Sequence, residues 1–336
     1  MHTSRKSGGE AFNLTGLRQP LADGVLKSIS AGLRRSASRI ASAYLRHSPG
    51  EVGRRSVWHF TNQHLTGYPF DFVQRLPYGL KLTGNTRDLI SLFIYYFGVW
   101  EPVVTRFIRS RLRRGDGFID VGANIGYYTA LASRLVGDTG KVVAIEASPL
   151  IFEQLQTNLV INSIRNVRAI NQAATDHEGA VILYEGPTNN RGETTTVQSW
   201  AERANCTESG EVPGQPLYKM ISADEWRTTR IVKIDVEGGE WMVLSGLFPA
   251  LPQLRSDAEV IIEITPADIA SQGGSTRRLS DAFAAYGFHP YKLANAYTPT
   301  FYLESGRVAR AERLDQFSNE QIDVVFSRVN AEYLEI

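Results

Sequence analysis

The sequence predicts a doubly wound α/β fold, in which helices cover both faces of a mostly parallel sheet. From Gly117 onward, short apolar runs rich in Val and Ile alternate with longer stretches whose apolar residues recur at helical spacing. A glycine-rich segment, DVGANIG at residues 120–126, follows the first of these runs, where a strand would turn into a helix. The chain has 336 residues, 43% of them hydrophobic, which is enough to bury a large core.

The alternation predicts the elements of this fold in chain order. A first helix covers 86–100, with Asn85 or Thr86 as its cap. The predicted strands cover 118–121, 141–146, 167–173, 230–235 and 259–264, and three closing strands lie near 288–293, 300–303 and 323–329. The later helices cover 125–136, 149–161, 240–247 and 276–286. The polar, β-prone stretches 181–184 and 194–200 predict an inserted hairpin or loop.

Charge separates the chain into two parts. Residues 1–55 carry 10 Lys or Arg against 3 Asp or Glu, whereas residues 56–336 carry 26 against 32. We therefore expect a basic N-terminal extension over 1–55 and one domain over 56–336. Residues 1–22 are rich in Ser, Gly and Thr, which predicts disorder, and 25–46 predicts a basic amphipathic helix. The apolar stripe of that helix comprises Leu26, Ile29, Leu33, Ala37, Ile40 and Tyr44.

The partners of this helix are open at the level of sequence. A basic amphipathic helix can lie on an anionic membrane surface or pack on its own domain. The longest apolar run, 89–100, is too short to span a membrane, and the N-terminus lacks the apolar core of a secretory signal. With a single cysteine, Cys206, these features predict a cytoplasmic protein, with peripheral membrane contact as the alternative. No motif predicts a nucleic-acid partner.

The loop DVGANIG predicts a nucleoside site at the carboxyl edge of the sheet, where doubly wound folds bind their ligands. Glu146 ends the next strand, and a carboxylate there can accept hydrogen bonds from a ribose. A dinucleotide fingerprint needs GxGxxG, but counting from Gly122 places Asn124 and Tyr127 at the second and third glycines. The spacing therefore favours S-adenosylmethionine, whose charged part is an amino acid, over NAD.

Several linked motifs resemble one family. DVGANIGYYTALAS, VVAIEASP with the downstream NLVIN, and above all IVKIDVEGGEWMVLSGL resemble the FkbM family of S-adenosylmethionine-dependent methyltransferases, and FGVWEP at 97–102 resembles the segment before its first strand. The similarity covers about 80–329 and leaves out the basic extension. EAS stands where the family more often has EPS or EPN. The resemblance implies a class I methyltransferase (Rossmann-like) fold with seven strands, the last of them antiparallel and supplied by 323–329.

The resemblance also implies which residues bind the cofactor. Around the methionine part we expect Asp120, Gly122, Asn124 and Gly126, with Glu101 from the preceding segment; Glu146 would bind the ribose, and Gln172 and Ala173 would approach the adenine.

The chemistry of methyl transfer to a hydroxyl requires an aligned acceptor and benefits from a base. The strand before EGGE places Lys233 and Asp235 on one face, so Asp235 would end that strand beside the cofactor. Asp235 is the first candidate for the base, and Glu237 and Glu263 are further candidates. Glu237 and Glu240 can equally stabilise the N-terminus of the following helix. Asp235 and Glu263 could share a magnesium or calcium ion, but a shared proton or bound sugar hydroxyls explain the pair as well, so a metal is not favoured.

These observations predict O-methylation of a hydroxyl on a small-molecule or glycan acceptor, either a saccharide or a polyketide-like natural product. Two other functions remain open. A NAD-dependent dehydrogenase is the enzymatic alternative, and a non-catalytic adapter that retains the fold is the binding alternative.

Overall fold

The computed structural model describes residues 31–48, 53–304 and 310–336, and in that part of the chain a nine-stranded sheet forms the centre, beside a two-stranded hairpin and a three-stranded sheet. The strands are β1 (Asp71–Arg75), β2 (Lys81–Asn85), β3 (Gly117–Val121), β4 (Lys141–Ile145), β5 (Val167–Ile170), β6 (Ala173–Thr175), β7 (Gly179–Glu185), β8 (Thr207–Pro216), β9 (Thr229–Ile234), β10 (Glu259–Ile264), β11 (His289–Leu293), β12 (Arg310–Arg313), β13 (Ile322–Ser327) and β14 (Tyr333–Glu335). The α-helices are α1 (Ala31–His47), α2 (Arg54–His64), α3 (Leu89–Phe97), α4 (Pro102–Arg111), α5 (Tyr127–Val136), α6 (Pro149–Ile161), α7 (Gln198–Ala204), α8 (Leu217–Met220), α9 (Ala223–Thr228), α10 (Glu240–Leu247), α11 (Pro266–Ser271), α12 (Thr276–Ala284) and α13 (Pro299–Glu304).

The strand order of the central sheet is β14-β12-β11-β13-β10-β9-β3-β4-β5. Strands β5, β4, β3, β9 and β10 run parallel, and β13 is inserted antiparallel between β10 and β11. The chain leaves β3 towards β4 and β5, and later returns on the other side of β3 with β9, so strand order reverses between β3 and β9. This topology confirms the predicted doubly wound sheet, including the antiparallel strand near 323–329. Strands β12 and β14 extend the seven expected strands at one edge.

Alternating side chains of the sheet face two separate apolar layers. Phe118, Ile231 and Ile261 pack with the aromatic residues of α3 and α4, whereas Ile119 and Val232 pack with α10 and α12. On the second side, the rings of Phe283 and Phe326 stack with centroids 3.9 Å apart. Because side chains alternate along a strand, every second residue of β3, β9 and β10 faces the layer that contains α3 and α4. The same alternation determines which polar residues of these strands face that layer.

Local signals set the bounds of several helices as predicted. α6 runs over Pro149–Ile161, and the Ser148 hydroxyl accepts a hydrogen bond from the Ile151 amide at 3.2 Å. α10 and β10 also have their predicted bounds.

Three local predictions are wrong. The cap of α3 is Asp88, which accepts from the Ser91 amide at 2.9 Å, and not Asn85 or Thr86; the helix ends at Phe97 because Gly98 takes the left-handed conformation (φ 75°). In the stretch 194–200 only Thr195 makes a strand-like bridge, to Tyr184, and the helix formers after Val197 begin α7. The predicted strand 300–303 is α13, since the Thr298 hydroxyl accepts from the Phe301 amide and so favours a helical turn.

The predicted strand 167–173 is divided. Residues Val167–Ile170 pair with β4 and form β5. The following residues Ala173–Thr175 form β6, which leaves the central sheet and pairs with β8. β7 contains the predicted β-prone stretch 181–184, but its antiparallel partner β8 lies at 207–216, where the sequence predicted no strand.

Helix α1 confirms the predicted N-terminal helix over Ala31–His47, while its predicted start at 25 and the predicted disorder over 1–22 lie outside the described residues. Its buried residues are Ser38, Ala41, Ser42 and Leu45, and the Ser42 hydroxyl donates to the Tyr95 carbonyl at 2.6 Å. Small side chains on this face let α1 approach α3 closely. Three residues of the predicted apolar stripe face outward instead: Leu33, Ile40 and Tyr44 are 63%, 72% and 39% exposed. Ala37 packs partly against the core, and Leu26 and Ile29 lie outside the described residues.

No helix in the described ranges has the length and apolar composition needed to cross a membrane. The boundary predicted between 55 and 56 stays a prediction, and α2 begins at Arg54, two residues before it.

Candidate functional site

The loop after β3 passes directly under the end of β9. The Asp235 amide donates to the Val121 carbonyl at 2.9 Å, and a Cβ on Gly122 would lie 1.8 Å from the Asp235 carbonyl oxygen. Gly122 also has a φ of +76°, so only glycine fits here. The closeness of the two backbones brings the glycine loop and the end of β9 to the same point, where strand order reverses.

Asn124 and Gly126 complete the turn into α5. Asn124 adopts a left-handed φ of 50°, which asparagine tolerates, and its side-chain oxygen accepts from the Ile125 amide at 2.7 Å. Gly126 has a φ of +86°, and a Cβ there would lie 2.4 Å from Leu155 of α6. Glycine at this position therefore lets α5 begin while α6 packs against the loop.

Glu146 joins two turns at the carboxyl edge. One carboxylate oxygen accepts from the Asn124 amide at 2.8 Å and the other from the Ser148 amide at 2.9 Å. Burial raises the pKa of Glu146 to about 7, although the hydrogen bonds from the Ser148 and Asn124 amides favour the carboxylate. Glu146 thus fixes the shape of the glycine loop at the carboxyl edge of the sheet.

An open cleft lies at this edge. The predicted residues that line it are Gly122, Asn124, Glu146, Gln172, Ala173, Asp235 and Glu237. Glu101, Asp120, Gly126 and Glu263, also predicted, do not line this cleft. Asp120 lies beneath it, buried, with one oxygen accepting from the Thr129 hydroxyl at 2.6 Å and the other without a protein partner in the described chain.

A second group of charged residues lies beside the cleft, in the layer of α3 and α4. We call Glu101, Asp120, Asp235, Glu263 and Asp323, together with Lys233, the acid cluster. Asp120 and Lys233 are neighbours in register across β3 and β9, and Glu263 lies directly opposite Asp323 on β13. The period of two therefore explains why these residues meet.

Lys233 is the cation of the acid cluster. Its ammonium contacts the Asp235 carboxylate at 2.6 Å and lies 4.6 Å from the ring centroid of Tyr128. Burial favours the neutral amine, but the charges of Asp235 and then Glu101 outweigh it and raise the pKa of Lys233. Lys233 is therefore charged, and its ammonium pairs with the carboxyl group of Asp235.

Tyr297 joins two carboxyl groups of the acid cluster. Its hydroxyl lies 2.6 Å from an oxygen of Glu101 and 2.7 Å from an oxygen of Glu263. A hydroxyl has one proton to donate, so one of the two carboxyl groups must itself be protonated if both contacts are hydrogen bonds. Burial and then the charge of Asp235 raise the pKa of Glu263 to about 8, which fits a protonated Glu263 at neutral pH.

Glu101 is held from several sides, although the sequence offered only a family resemblance for it. It precedes α4 with a left-handed φ of 41°, its amide donates to the Tyr302 hydroxyl at 3.0 Å, and its carboxyl accepts from the Tyr128 hydroxyl at 2.7 Å. Burial raises its pKa. Tyr297 and Tyr302 come from the segment around α13, which sequence reasoning did not connect with the site.

Two sets of three carboxylates have oxygens within 4.8 Å of one another: Asp235, Glu237 and Glu263, and Glu101, Glu263 and Asp323. Hard cations prefer such oxygen ligands. However, burial raises the pKa of Glu237 and of Asp323, and the ammonium of Lys233 already neutralises part of the charge. Shared protons are the alternative to a metal here, and the preference for no metal stays a prediction.

Glu240 holds the turn that follows Asp235. Its carboxyl accepts from the Gly238 amide at 3.1 Å and is buried, whereas Glu237 lines the cleft. The structural role left open for both residues therefore fits Glu240 better than Glu237.

The rim of the cleft, residues 187–196, is tied to the start of α3. Asp88, which caps α3, also accepts from the Arg191 amide at 3.1 Å, and the Leu89 amide donates to the Asn189 carbonyl at 3.0 Å. Arg191 is the one cationic side chain among the described residues that line the cleft. Sequence reasoning missed Arg191, since nothing in an irregular loop indicates where its side chain points.

The comparisons with known proteins agree on one class. Residues 120–290, just over half of the chain, match the family model described as the methyltransferase FkbM domain. The hexuronic acid methyltransferase AglP of Haloferax volcanii is 30% identical over 193 residues, which cover 54% of this chain and 69% of that protein. The probable cobalt-precorrin-6B C(15)-methyltransferase (decarboxylating) of Sulfolobus acidocaldarius is 37% identical over 76 residues, which cover 23% of this chain and only 40% of that protein.

Solved structures with a similar arrangement include a SAM-dependent O-methyltransferase of Thermotoga maritima, with 16% identity and a TM-score of 0.36 over 77% of this chain and 78% of that one. Another is a methyltransferase from Streptococcus mutans in complex with SAH, with 12% identity and a TM-score of 0.38 over 69% of this chain and 99% of that one.

The raised pKa of Glu263 gives a testable pH dependence of stability. Its folded-state pKa of about 8 exceeds the ordinary value of 4.5, so between these values the folded protein retains a proton that the unfolded chain releases. The contribution of Glu263 to the free energy of unfolding therefore falls as pH rises from about 4.5 to about 8. We expect Glu263→Gln to reduce this fall by on the order of a few kcal/mol, measured by urea unfolding at pH 5 and pH 8.

Glu153→Gln, at an exposed position of α6, is the matched control and should leave the pH dependence unchanged. The same fall in Glu263→Gln as in the unaltered protein would show that Glu263 does not hold the proton.

Proposed function

The chain belongs to the FkbM methyltransferase family, and from this premise we propose that it transfers the methyl group of S-adenosylmethionine to a hydroxyl of a saccharide. The observation that carries the proposal is the position of Asp235, which ends β9 at the cleft, next to Gly122, and is paired with a buried ammonium. AglP, named for a hexuronic acid, supports a saccharide over the polyketide-like alternative.

The cleft has the features that S-adenosylmethionine requires. Gly122 leaves no side chain between the loop and the end of β9, and the buried Asp120 oxygen without a protein partner lies beneath them. We assign Gly122 and Asn124 to the methionine part, and Glu146 to the ribose hydroxyls. Glu101, Asp120 and Gly126 would act from outside the cleft lining, and Gln172 and Ala173 would face the adenine. When bound, the cofactor supplies an electrophilic methyl group on sulfur.

The protein residues would align the acceptor and receive its proton. Asp235 contacts the Lys233 ammonium at 2.6 Å, and as a carboxylate it would accept the proton of a hydroxyl positioned at the cleft. Burial raises the pKa of Glu237, which lines the cleft, and so favours a protonated carboxyl group that can donate a hydrogen bond to an acceptor oxygen, whereas the proton of Glu263 is directed to Tyr297. Three neighbouring carboxyl groups thus take two different roles.

Neither alternative function has comparable support. A dehydrogenase would place a diphosphate where Asn124 and Tyr127 stand, and Tyr127 is buried against Thr105, with 3.3 Å between the two hydroxyl oxygens. A non-catalytic adapter would have no use for a buried acid cluster, which is costly to fold.

Replacement of Asp235 tests the proposed mechanism. We expect Asp235→Asn to lower kcat about 10²- to 10⁴-fold, the range of one general base, with little change in the affinity for S-adenosylhomocysteine. Turnover is measured by transfer of labelled methyl groups to a uronic acid glycan, and affinity by calorimetry.

Two variants serve as controls for this experiment. Glu146→Ala should mainly weaken S-adenosylhomocysteine binding, and Asp224→Asn, on the exposed face of α9, should change neither quantity. Normal turnover in Asp235→Asn would remove Asp235 from the mechanism.

Arg191 supports an acidic saccharide as the acceptor. The raised pKa of Glu237 lowers the negative charge of the cleft lining, and the guanidinium of Arg191 can bind a carboxylate with two hydrogen bonds. The anchor of the Arg191 backbone on Asp88 keeps this residue at the rim.

Arg191→Met should therefore raise KM for a uronic acid acceptor at least about tenfold, because a hydrogen bond to a charged group is worth about 1.5–3 kcal/mol. KM for the corresponding neutral sugar should change little, and so should the variant Arg277→Met, whose side chain is exposed on α12. Equal effects on both acceptors would argue against carboxylate recognition. A loss of S-adenosylhomocysteine affinity would instead assign Arg191 to the cofactor carboxylate.

A peripheral membrane contact through α1 is also part of the proposal. The outward stripe of Leu33, Ile40 and Tyr44 supports it, because α1 contains four arginines and no acidic residue. We expect the full chain to sediment with vesicles that contain anionic lipid, and Leu33→Ser with Ile40→Ser to reduce the bound fraction. Ala43→Ser, at another exposed position, should not. Absence of sedimentation for the unaltered chain would refute the contact.

A further inference from the structure

The hydroxyl of Tyr297 is held in one place by the packing of its segment. The ring of Tyr297 stacks on Trp100, with the ring centroids 5.5 Å apart and an angle of 30° between the planes. α13 follows Tyr297 in the chain and is anchored in turn, because the Tyr302 hydroxyl accepts from the Glu101 amide at 3.0 Å. The Tyr297 hydroxyl is therefore fixed relative to the two carboxyl groups that it contacts.

Glu101 is the carboxyl group of this pair that is better placed to be ionised. One of its oxygens accepts from the Tyr128 hydroxyl at 2.7 Å, and the other lies 2.6 Å from the Tyr297 hydroxyl and 3.5 Å from the Asn295 amide nitrogen. Hydrogen bonds donated to a carboxylate favour its charged form. Burial raises the pKa of Glu101, but the charge of Lys233 opposes this rise. The proton of the Tyr297 hydroxyl therefore belongs to its contact with Glu101.

Glu263 then donates its own proton to the oxygen of Tyr297. The two oxygens are 2.7 Å apart, and a tyrosine has no second proton to offer. Burial, and then the charges of Asp235 and Glu101, raise the pKa of Glu263, although hydrogen bonds from Tyr297 and Gln321 lower it. The geometry and the surrounding charges thus agree that Glu263 carries the proton and that Tyr297 receives it.

Asp235 is the other group to which Glu263 could donate. Oxygens of Asp235 and Glu263 lie within 4.8 Å of each other, near enough for a proton to pass after a side-chain rotation or through one water. Asp323 is also near Glu263, but burial raises its pKa and makes it the poorer acceptor. One oxygen of Asp235 already contacts the Lys233 ammonium at 2.6 Å. A hydrogen bond from Glu263 would therefore occupy a carboxyl group that has little capacity left for an acceptor hydroxyl.

We propose that Tyr297 is a positioning residue for the methyl transfer: its hydroxyl holds the proton of Glu263 away from Asp235 and so leaves Asp235 open to the acceptor hydroxyl. The inference rests on the proposed function, in which Asp235 accepts a proton as a carboxylate. In this role Tyr297 acts through Glu263 and does not itself contact the acceptor.

Removal of the Tyr297 hydroxyl tests the inference. Tyr297→Phe should lower kcat for the uronic acid glycan at least about tenfold, because the acceptor must then displace a hydrogen bond to a charged group. Its affinity for S-adenosylhomocysteine, measured by calorimetry, should change little. Unchanged kcat in Tyr297→Phe would overturn the proposal.

A second substitution separates this role from a purely structural one. Glu263→Met removes the proton that would otherwise turn to Asp235, so Tyr297→Phe with Glu263→Met should recover the kcat of Glu263→Met alone. Independent effects would instead multiply, and the double variant would be the slowest of the three. That result would overturn the proposal. Loss of turnover in Glu263→Met alone would also overturn it, because Glu263 would then act on the substrate directly.

Tyr286→Phe is the matched control, since its hydroxyl is exposed in the turn after α12, and it should change neither kcat nor affinity. S-adenosylhomocysteine binding reports that each variant is folded. Normal turnover in Asp235→Asn would reject the proposed base itself. Normal turnover in Tyr297→Phe beside a slow Asp235→Asn would reject only the role of Tyr297.

Discussion

The pair between Lys233 and Asp235 is the interaction on which the rest of the site depends. The Lys233 ammonium is buried within the acid cluster. Removal of its positive charge would leave several carboxyl groups without a counter-charge in a poorly solvated layer. The same ammonium lies against Asp235, while burial raises the pKa of the neighbouring Glu101 and Glu263. One lysine thereby pairs with a single carboxyl group and leaves beside it others whose pKa is raised.

Sequence periodicity was sufficient for the parts of the site that lie on strands. The alternation in β9 placed Lys233 and Asp235 on one face, and the strand order brought Asp120 and Glu263 beside them. The glycine loop was also predictable, because Gly122 and Gly126 are required by backbone geometry that few other residues allow. The start of α6 was predicted correctly because Ser148 caps the helix and Pro149 suits its first position.

The parts contributed by irregular segments were not predictable. Arg191 and Tyr297 reach the site from loops, and their positions depend on contacts with Asp88 and Glu101 that are distant in sequence.

The stripe of α1 shows a different limit. Its apolar residues recur at helical spacing, but the packed face consists of small residues such as Ala41 and Ser42, because close approach of two helices outweighs side-chain hydrophobicity there. Periodicity identified the helix without identifying its buried side.

The contact of Gly122 with the Asp235 carbonyl makes the spacing between cofactor loop and proposed base a property of the main chain. Neither strand can slide relative to the other without breaking the hydrogen bond from the Asp235 amide to the Val121 carbonyl. Residues on the rim or around α13 that recognise the acceptor could therefore be replaced, in evolution or by design. The distance between the cofactor loop and the proposed base would not change. Such a division between a fixed reaction centre and an interchangeable periphery would let one scaffold serve many acceptors.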